Sequence, residues 1–132
     1  MILKVFTDGG AKGNPGPASI GVVFYLDDRK IFQTDKKIGI ATNNEAEYQA
    51  LITALEEIKK QKQLIDIKKI DFYSDSKLLV NQVNGIYKVK NSKIKEYIIK
   101  IRILENEIKL PISYYHILRE KNQEADKLVN KL

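Results

Sequence analysis

The chain has 132 residues, a formal net charge of +6, one histidine and no cysteine. This length predicts a single domain, residues 1–132, with a core of its own, and the missing cysteines exclude disulfides, thiolate metal sites and a cysteine nucleophile. The lone histidine makes a histidine-rich zinc site implausible, and the excess of lysine favours an anionic partner such as nucleic acid, although many basic proteins bind none.

Three strand-like runs begin the chain, and their short connections predict an antiparallel meander. The runs are Ile2–Asp8, Ala18–Leu26 and Lys30–Ile40, and Asp27 and Asp28 form the predicted tight turn between the last two. The sequence begins at once with a strand pattern and has no apolar run near the roughly 18 residues of a membrane span. We therefore expect a cytoplasmic protein without a signal peptide and without a membrane partner.

Helices and strands alternate in the rest of the chain. The predicted helix caps are Asn43 or Asn44, Asp75, and Asn91 or Ser92, and a last helix begins at about Asn122. The predicted strands between these helices are Ile67–Ser74 and Ile112–Leu118. Among the apolar residues expected to face the core are Leu78 in the second helix and Leu132 in the last. The element order βββαβααβα predicts an α/β fold with a mixed sheet crossed by helices.

Four acidic residues at the ends of these elements are the main clue to function. Asp8 and Asp75 end two strands that become neighbours if the sheet is built outward from the first strand. Glu47 and Asp126 lie in first helical turns, and Glu47 falls on a buried stripe, where a carboxylate is costly unless a cation meets it. Convergent carboxylates form a negative, all-oxygen site, which a protein tolerates by binding hard cations.

Each acid also has a purely structural explanation when it is considered alone. Asp75 can be a helix cap, and Asp126 can balance a helix dipole. Asp8 can be a turn residue, and Glu47 can pair with a lysine. These explanations account for each acid separately, but they do not account for the set.

Two further segments have a structural and a functional interpretation. The loop GGAKGNPGP is either a wide hairpin turn or a surface that a phosphate backbone can approach closely. The segment IYKVKNSKIK is either a solvated face or a set of phosphate contacts, and its basic residues are Lys88, Lys90, Lys93 and Lys95.

Four stretches, taken together, resemble ribonuclease H of type 1 over essentially the whole chain. They are FTDGGAKGNPGPASIGVV, TNNEAEYQALITAL, YSDSKLLVNQVNGIYKVKN and ILREKNQEADKLVN. The resemblance implies the ribonuclease H-like fold, a five-stranded mixed sheet in the order 3-2-1-4-5 with helices on both faces. It also implies an endonuclease that hydrolyses the RNA strand of RNA–DNA hybrids and leaves 3′-hydroxyl and 5′-phosphate ends.

The resemblance also assigns roles to individual residues. The catalytic carboxylates, which are also the metal ligands, fall on Asp8, Glu47, Asp75 and Asp126. Two Mg²⁺ ions, for which Mn²⁺ can substitute, are the expected cofactor, and their spacing in such sites is about 3.5–4 Å. The expected substrate-binding residues are Gly10, Ala11, Gly13, Asn14, Thr42, Asn43, Asn44 and Lys77. Asn14 and Thr42 would hold a DNA phosphate, while Asn43 and Asn44 would contact the minor groove and RNA 2′-hydroxyls.

The chain departs from the family pattern in three places, one of which is Lys77, where some members have glutamine two residues after the third acid. The basic extension that many members carry after the second helix is missing, as in a bacterial and archaeal subgroup, so weaker hybrid binding is expected unless the four lysines compensate. The loop that carries a histidine near the site in the best-known members is shortened here to ILREKN. Arg119 is therefore the predicted catalytic replacement, and His116 in the preceding strand is the alternative.

Two other functions stay open from the sequence. One is a nuclease of the same fold that also acts on double-stranded RNA, and the other is a non-catalytic module that binds hybrids by shape. A pure binding module would not need four acids where phosphates lie, so the nuclease is favoured. The expected partner is an RNA–DNA hybrid, and the protein is expected to be a monomer.

Overall fold

In the computed structural model, which describes residues 1–61, 64 and 66–131, a five-stranded sheet is flanked by helices. The strands are β1 (Ile2–Ala11), β2 (Gly16–Leu26), β3 (Arg29–Ala41), β4 (Lys69–Ser74) and β5 (Ile112–His116). The helices are α1 (Asn43–Lys60), α2 (Lys77–Val83), α3 (Ser92–Ile108) and α4 (Gln123–Lys131), and a short 3₁₀ turn at Arg119–Lys121 precedes α4. Among the described helices, none is long and apolar enough to cross a membrane.

The strand order is β3-β2-β1-β4-β5, which confirms the predicted α/β fold and its sheet. The first three strands form the antiparallel meander, and β4 runs parallel to β1 and to β5. Because parallel strands end at the same edge of a sheet, the residues that follow β4 lie beside the last third of β1. That edge is where the acidic residues were expected to meet.

Two glycines let helices approach opposite faces of the sheet at the level of Asp8. A Cβ atom on Gly9 would lie 2.3 Å from the carbonyl carbon of Ala46 in α1. A Cβ atom on Gly21, which pairs with Asp8, would lie 2.6 Å from the carbonyl oxygen of Ala125 in α4. Both contacts are too short for any side chain, so these glycines set how closely α1 and α4 pack on the sheet.

The larger part of the core lies between the sheet, α1 and α3. Val5 and Phe24 from the sheet, Leu55 from α1 and Ile101 from α3 are fully buried there. On the other face, α4 covers Val23 with a smaller apolar cluster. This packing fixes α1 and α4, the two helices that carry Glu47 and Asp126.

Two predicted helix caps are wrong. Thr42, and not Asn43 or Asn44, caps α1, because the Thr42 hydroxyl accepts the N–H of Glu45 at 3.1 Å and the Glu45 carboxylate accepts the Thr42 N–H at 2.8 Å. This reciprocal pair satisfies two backbone donors at the start of the helix. Glu47 therefore begins the second turn of α1 and not the first.

The cap of α2 is Ser76, and not Asp75, since the Ser76 hydroxyl accepts the N–H of Leu79 at 3.1 Å. The purely structural explanation of Asp75 as a helix cap is therefore excluded. The helix also turns differently from the prediction: Leu78 is 44% exposed and Val80 is buried in its place. The predicted cap Asn91 and the predicted turn at Asp27 and Asp28 are confirmed.

Several predicted strand boundaries also differ. β1 continues three residues past Asp8, because Gly9, Gly10 and Ala11 pair with β2. Its pairing with β4 nevertheless stops at Phe6, so Asp8 lies just beyond the parallel part of the sheet. β5 ends at His116 and not at Leu118. The predicted burial of Leu132 falls outside the described residues.

Candidate active site

Three of the four predicted carboxylates converge at the sheet edge. Oxygen atoms of Asp8, Glu47 and Asp75 lie within 4.8 Å of one another. Asp8 and Glu47 are buried, and Asp75 is half-buried. Because like charges repel and burial removes their hydration, three such carboxylates are unfavourable together without a cation. The trio has the composition and spacing of a divalent-cation site.

The pKa values of Asp8 and Glu47 indicate that negative charge in this site is unfavourable without a cation. Burial, followed by the charges of Asp75 and Asp126, raises the pKa of Asp8 to about 8. Burial also raises the pKa of Glu47 well above its usual range, with repulsion from Asp8 and Asp75 as the next causes. A bound divalent cation would favour the charged form of each group and so reverse this effect.

Asp126 joins the site from the other face of the sheet. It lies in the first turn of α4, close enough to hydrogen-bond with Asp8. Its helix is held in place by the close approach of Gly21 and by a buried bond of 3.0 Å from the Ser19 hydroxyl to the Val129 carbonyl. Asp126 is thus a neighbour of Asp8, and it stands beside the trio formed by Asp8, Glu47 and Asp75.

The cleft over these acids has a volume of about 340 Å³, and its described wall includes Arg119 but not His116. The Nη2 atom of Arg119 lies 3.4 Å from Oδ1 of Asp126, and the Arg119 side chain is 76% exposed. His116 ends β5 and is exposed. The geometry thus favours Arg119 over His116 as the residue nearest the acids.

Two residues that hold the acids in place were missed from the sequence. The backbone N–H of Gly9 donates to Oε1 of Glu47 at 2.9 Å. Asn122 is almost fully buried, and its amide donates to the Thr7 carbonyl at 2.9 Å and to Oδ2 of Asp75 at 3.4 Å. Asn122 also precedes α4, where its carbonyl accepts the N–H of Asp126 at 3.1 Å. Its place just before the last helix was the one signal available in the sequence.

Several predicted substrate-binding residues form a connected group beside the cleft. The Asn14 side chain accepts the N–H of Asn43 at 3.0 Å, and the Asn43 side chain accepts the N–H of Ala11 at 2.9 Å. These bonds tie the β1–β2 loop to the start of α1. Thr42 uses its hydroxyl as the helix cap, and Oδ1 of Asn44 is buried without a hydrogen-bond partner among the described residues.

The remaining predicted binding residues are distributed unevenly. Gly10 lines the cleft, whereas Gly13 and Lys77 do not belong to its described wall and are exposed. Lys93, in the first turn of α3, is already paired with Glu45 of α1 at 3.2 Å. Lys88, Lys90 and Lys95 are exposed, and none of them belongs to the described wall of the cleft.

A mixed sheet in this order, with acids from β1, α1, α4 and the end of β4 around one cleft, defines a ribonuclease H-like protein with a divalent-metal site. Comparison with known proteins gives the same answer. The sequence matches the family described as reverse transcriptase-like over residues 6–132. The chain therefore belongs to the reverse transcriptase-like family and, within it, to the ribonuclease H1 group.

Individual relatives support this assignment. LC11-RNase H1, which was isolated from compost and solved in complex with an RNA/DNA hybrid, is 43% identical with a TM-score of 0.91, over 98% of this chain and 94% of that one. RNase H1 of Halobacterium salinarum is 32% identical with a TM-score of 0.90, over 99% of this chain and 96% of that one. A bifunctional protein of Mycobacterium tuberculosis is 35% identical over 132 residues, and the match spans 98% of this chain but only 35%, about a third, of that relative.

Proposed function

We propose that this protein is a ribonuclease H, an endonuclease that hydrolyses the RNA strand of RNA–DNA hybrids and leaves 3′-hydroxyl and 5′-phosphate ends. The observation that carries the proposal is the convergence of Asp8, Glu47 and Asp75 within 4.8 Å at the sheet edge. The similarity to LC11-RNase H1, whose structure contains an RNA/DNA hybrid, supports the choice of substrate.

The site residues fit a pair of Mg²⁺ ions, with Mn²⁺ as a substitute. All donors are carboxylate oxygens, which Mg²⁺ prefers, and burial together with mutual repulsion raises the pKa values of Asp8 and Glu47. Asp8 lies between the Glu47–Asp75 side and the Asp126 side, so it is the ligand suited to serve both ions. When bound, such ions activate water and stabilise the departing 3′-oxygen.

The rest of the chain holds these ligands in a fixed arrangement. Gly9 orients Glu47 through its N–H, and Asn122 orients Asp75 through its amide. Fixed ligands need little reorganisation during the reaction, which favours catalysis. Arg119 places positive charge next to Asp126, where it can stabilise negative charge that develops on the reacting phosphate.

The network at the start of α1 supplies contacts for the substrate. Asn43 uses its carbonyl oxygen for Ala11, which leaves its NH₂ group as a donor for a base edge or a 2′-hydroxyl. Oδ1 of Asn44 is an acceptor without a protein partner among the described residues. In this proposal Asn14 and Thr42 would hold a DNA phosphate, and Lys77 would be a further substrate contact. Contacts to 2′-hydroxyls distinguish RNA from DNA.

A direct test uses end-labelled RNA–DNA, RNA–RNA and DNA–DNA duplexes, incubated with the protein and Mg²⁺ or Mn²⁺. We expect cleavage of the RNA strand of the hybrid and none without the metal. Cleavage of RNA–RNA at a similar rate would favour the broader nuclease. Binding of the hybrid without any cleavage would favour the non-catalytic module and contradict the proposal.

A further inference from the structure

We propose that the side-chain amide of Asn130 donates a hydrogen bond to a backbone phosphate of the RNA strand in the cleft, an inference that rests on the proposed function. Asn130 lies near the end of α4, is exposed, and belongs to the described wall of the cleft that contains the acids. Neither the resemblance nor the proposed set of metal ligands and substrate contacts gives this residue a role.

Asn130 shares a helix face with Asp126. The two residues are four positions apart in α4, so their side chains are neighbours about one helical turn apart. Val129, in the same turn as Asn130, also lines the cleft. The helix therefore presents a carboxylate to the cleft at its start and an amide one turn further on. A nucleic-acid strand that lies over Asp126 also lies near the amide of Asn130.

The backbone at Asn130 is held in place although the side chain is exposed. The Ser19 hydroxyl donates to the carbonyl of the preceding residue, Val129, at 3.0 Å. The ammonium of the following residue, Lys131, lies 3.1 Å from Oδ2 of Asp35 in β3. Both neighbours of Asn130 are thus tied to the sheet. A side chain on a fixed backbone loses less freedom when it binds a ligand, which favours recognition.

An amide suits this place in the cleft for reasons of charge. The described wall already contains four carboxylates, so a side chain that contacts a phosphate there must donate a hydrogen bond without adding negative charge. The NH₂ group of asparagine has two donors and is neutral. On the α1 side of the cleft, the amide of Asn43 is the comparable group. Each of the two helices that carry acids thus also presents an amide to the cleft.

A purely structural role does not account for Asn130. Asparagine often ends a helix from the position after the last helical residue, but α4 continues to Lys131. Within a helix, asparagine is a weaker helix former than alanine. We therefore expect Asn130→Ala to keep or slightly raise the stability of α4, so weaker binding by this variant would not come from unfolding.

The experiment measures binding of a fluorescent RNA–DNA hybrid by anisotropy in Mg²⁺ over a series of NaCl concentrations. All variants carry Asp75→Asn to prevent cleavage, and Asn130→Ala is compared with Asn130→Asp and Asn130→Gln. Gln123→Ala is the matched control, since it removes an exposed amide from the same helix outside the described wall of the cleft. Urea denaturation of each variant, and calorimetric titration with Mg²⁺ of the same variants with native Asp75, are carried out in parallel.

Loss of one hydrogen bond to a charged group weakens binding about tenfold. Because asparagine is neutral, this loss leaves the slope of log K against log salt unchanged. We expect this result for Asn130→Ala, a larger loss of affinity for Asn130→Asp, a smaller loss for Asn130→Gln and no change for Gln123→Ala.

Unchanged hybrid affinity in Asn130→Ala overturns the proposal. Binding by Asn130→Asp that is as tight as binding by Asn130→Ala also overturns it, because a carboxylate repels a phosphate but accepts a hydrogen bond from a 2′-hydroxyl. A loss of Mg²⁺ affinity in Asn130→Ala that accounts for the weaker binding would make Asn130 a metal ligand, which contradicts the proposal as well. Failure of the protein with native Asp75 to cleave the hybrid would instead contradict the proposed function, while absence of any hybrid binding would contradict both.

Discussion

The backbone N–H of Gly9 donates a hydrogen bond of 2.9 Å to Oε1 of Glu47, and this bond joins β1 directly to α1. It exists because Gly9 has no side chain: a Cβ atom there would meet the backbone of Ala46 at 2.3 Å. The same glycine that lets the helix approach the sheet also orients one of the acidic ligands. Fold packing and site geometry are thus coupled at the residue after Asp8.

We expect Gly9→Ala to push α1 away from the sheet and to lower the free energy of unfolding by about 2–3 kcal/mol, since the added methyl group meets backbone atoms that cannot yield. Urea denaturation measures the change. Gly10→Ala is the matched control, because its Cβ atom would lie 3.6 Å from a Val129 methyl group, an ordinary contact. Equal free energies of unfolding for the two variants would show that the close approach of α1 to Gly9 does not limit stability.

Removing the Asn122 amide should loosen Asp75 and the start of α4 together. We expect Asn122→Ala to reduce Mg²⁺ affinity or turnover about 10- to 100-fold, as is typical when a ligand loses its supporting hydrogen bond. The Mg²⁺ dependence of hybrid cleavage measures both quantities. Asn106→Ala, at an exposed position in α3, controls for loss of an asparagine. If the Mg²⁺ dependence and the turnover are unchanged, the Asn122 amide does not support the metal-binding site.

The raised pKa of Asp8 predicts how stability depends on pH without metal. The folded state holds this proton up to a pKa of about 8, whereas the ordinary value is 3.8. Because the folded state binds the proton more tightly, this group lowers stability as the pH rises through that window. We expect the difference in unfolding free energy between the original protein and Asp8→Asn, measured in EDTA, to shift in favour of Asp8→Asn from pH 4 to about 8.

Bound divalent metal should oppose the loss of folding stability at higher pH. Added Mg²⁺ stabilises the folded state more at higher pH, because the ions compete with protons for the same carboxylates. Thermal unfolding with and without Mg²⁺ across the same pH range measures the effect. A stabilisation by Mg²⁺ that is equal at low and high pH, or that persists in full in Asp8→Asn, would argue that the ions bind elsewhere.

Arg119 lies outside the carboxylate trio, so its removal should affect the reaction more than the metal. We expect Arg119→Ala to slow turnover about 10- to 100-fold while leaving Mg²⁺ affinity within a few-fold. His116→Ala should have little effect, since the described wall of the cleft does not include His116. Single-turnover hybrid cleavage compares the two. A slow His116 variant beside a normal Arg119 variant would transfer the role to the histidine.

Short-range patterns predicted a mixed sheet and the meeting of Asp8 and Asp75, whereas the strand order and the full set of four acids came from the resemblance to ribonuclease H. Alternating strands and helices determine a parallel edge, and Asp8 and Asp75 lie where two strands reach it. The caps at Thr42 and Ser76 were missed because, in isolation, asparagine and aspartate are at least as good helix caps as threonine and serine. Only the hydrogen bonds of the folded chain show which residue is the cap.

Other features depend on contacts between distant residues and have no local signal. Asn122 bonds to the Thr7 carbonyl across 115 residues of chain. Gly9 and Gly21 resemble ordinary turn or strand glycines until the helices that press on them are placed. Packing of this kind is set by the whole fold, so periodicity and motif spacing do not reveal it.

The most direct test of the account is hydrolysis of a hybrid by Asp75→Asn. This change keeps the size of the side chain and the Ser76 cap of α2 but removes one of the three converging charges. We predict that the variant keeps its circular dichroism spectrum and loses Mg²⁺-dependent cleavage of the RNA strand. Near-normal turnover by a folded Asp75→Asn variant would contradict the assignment of this site.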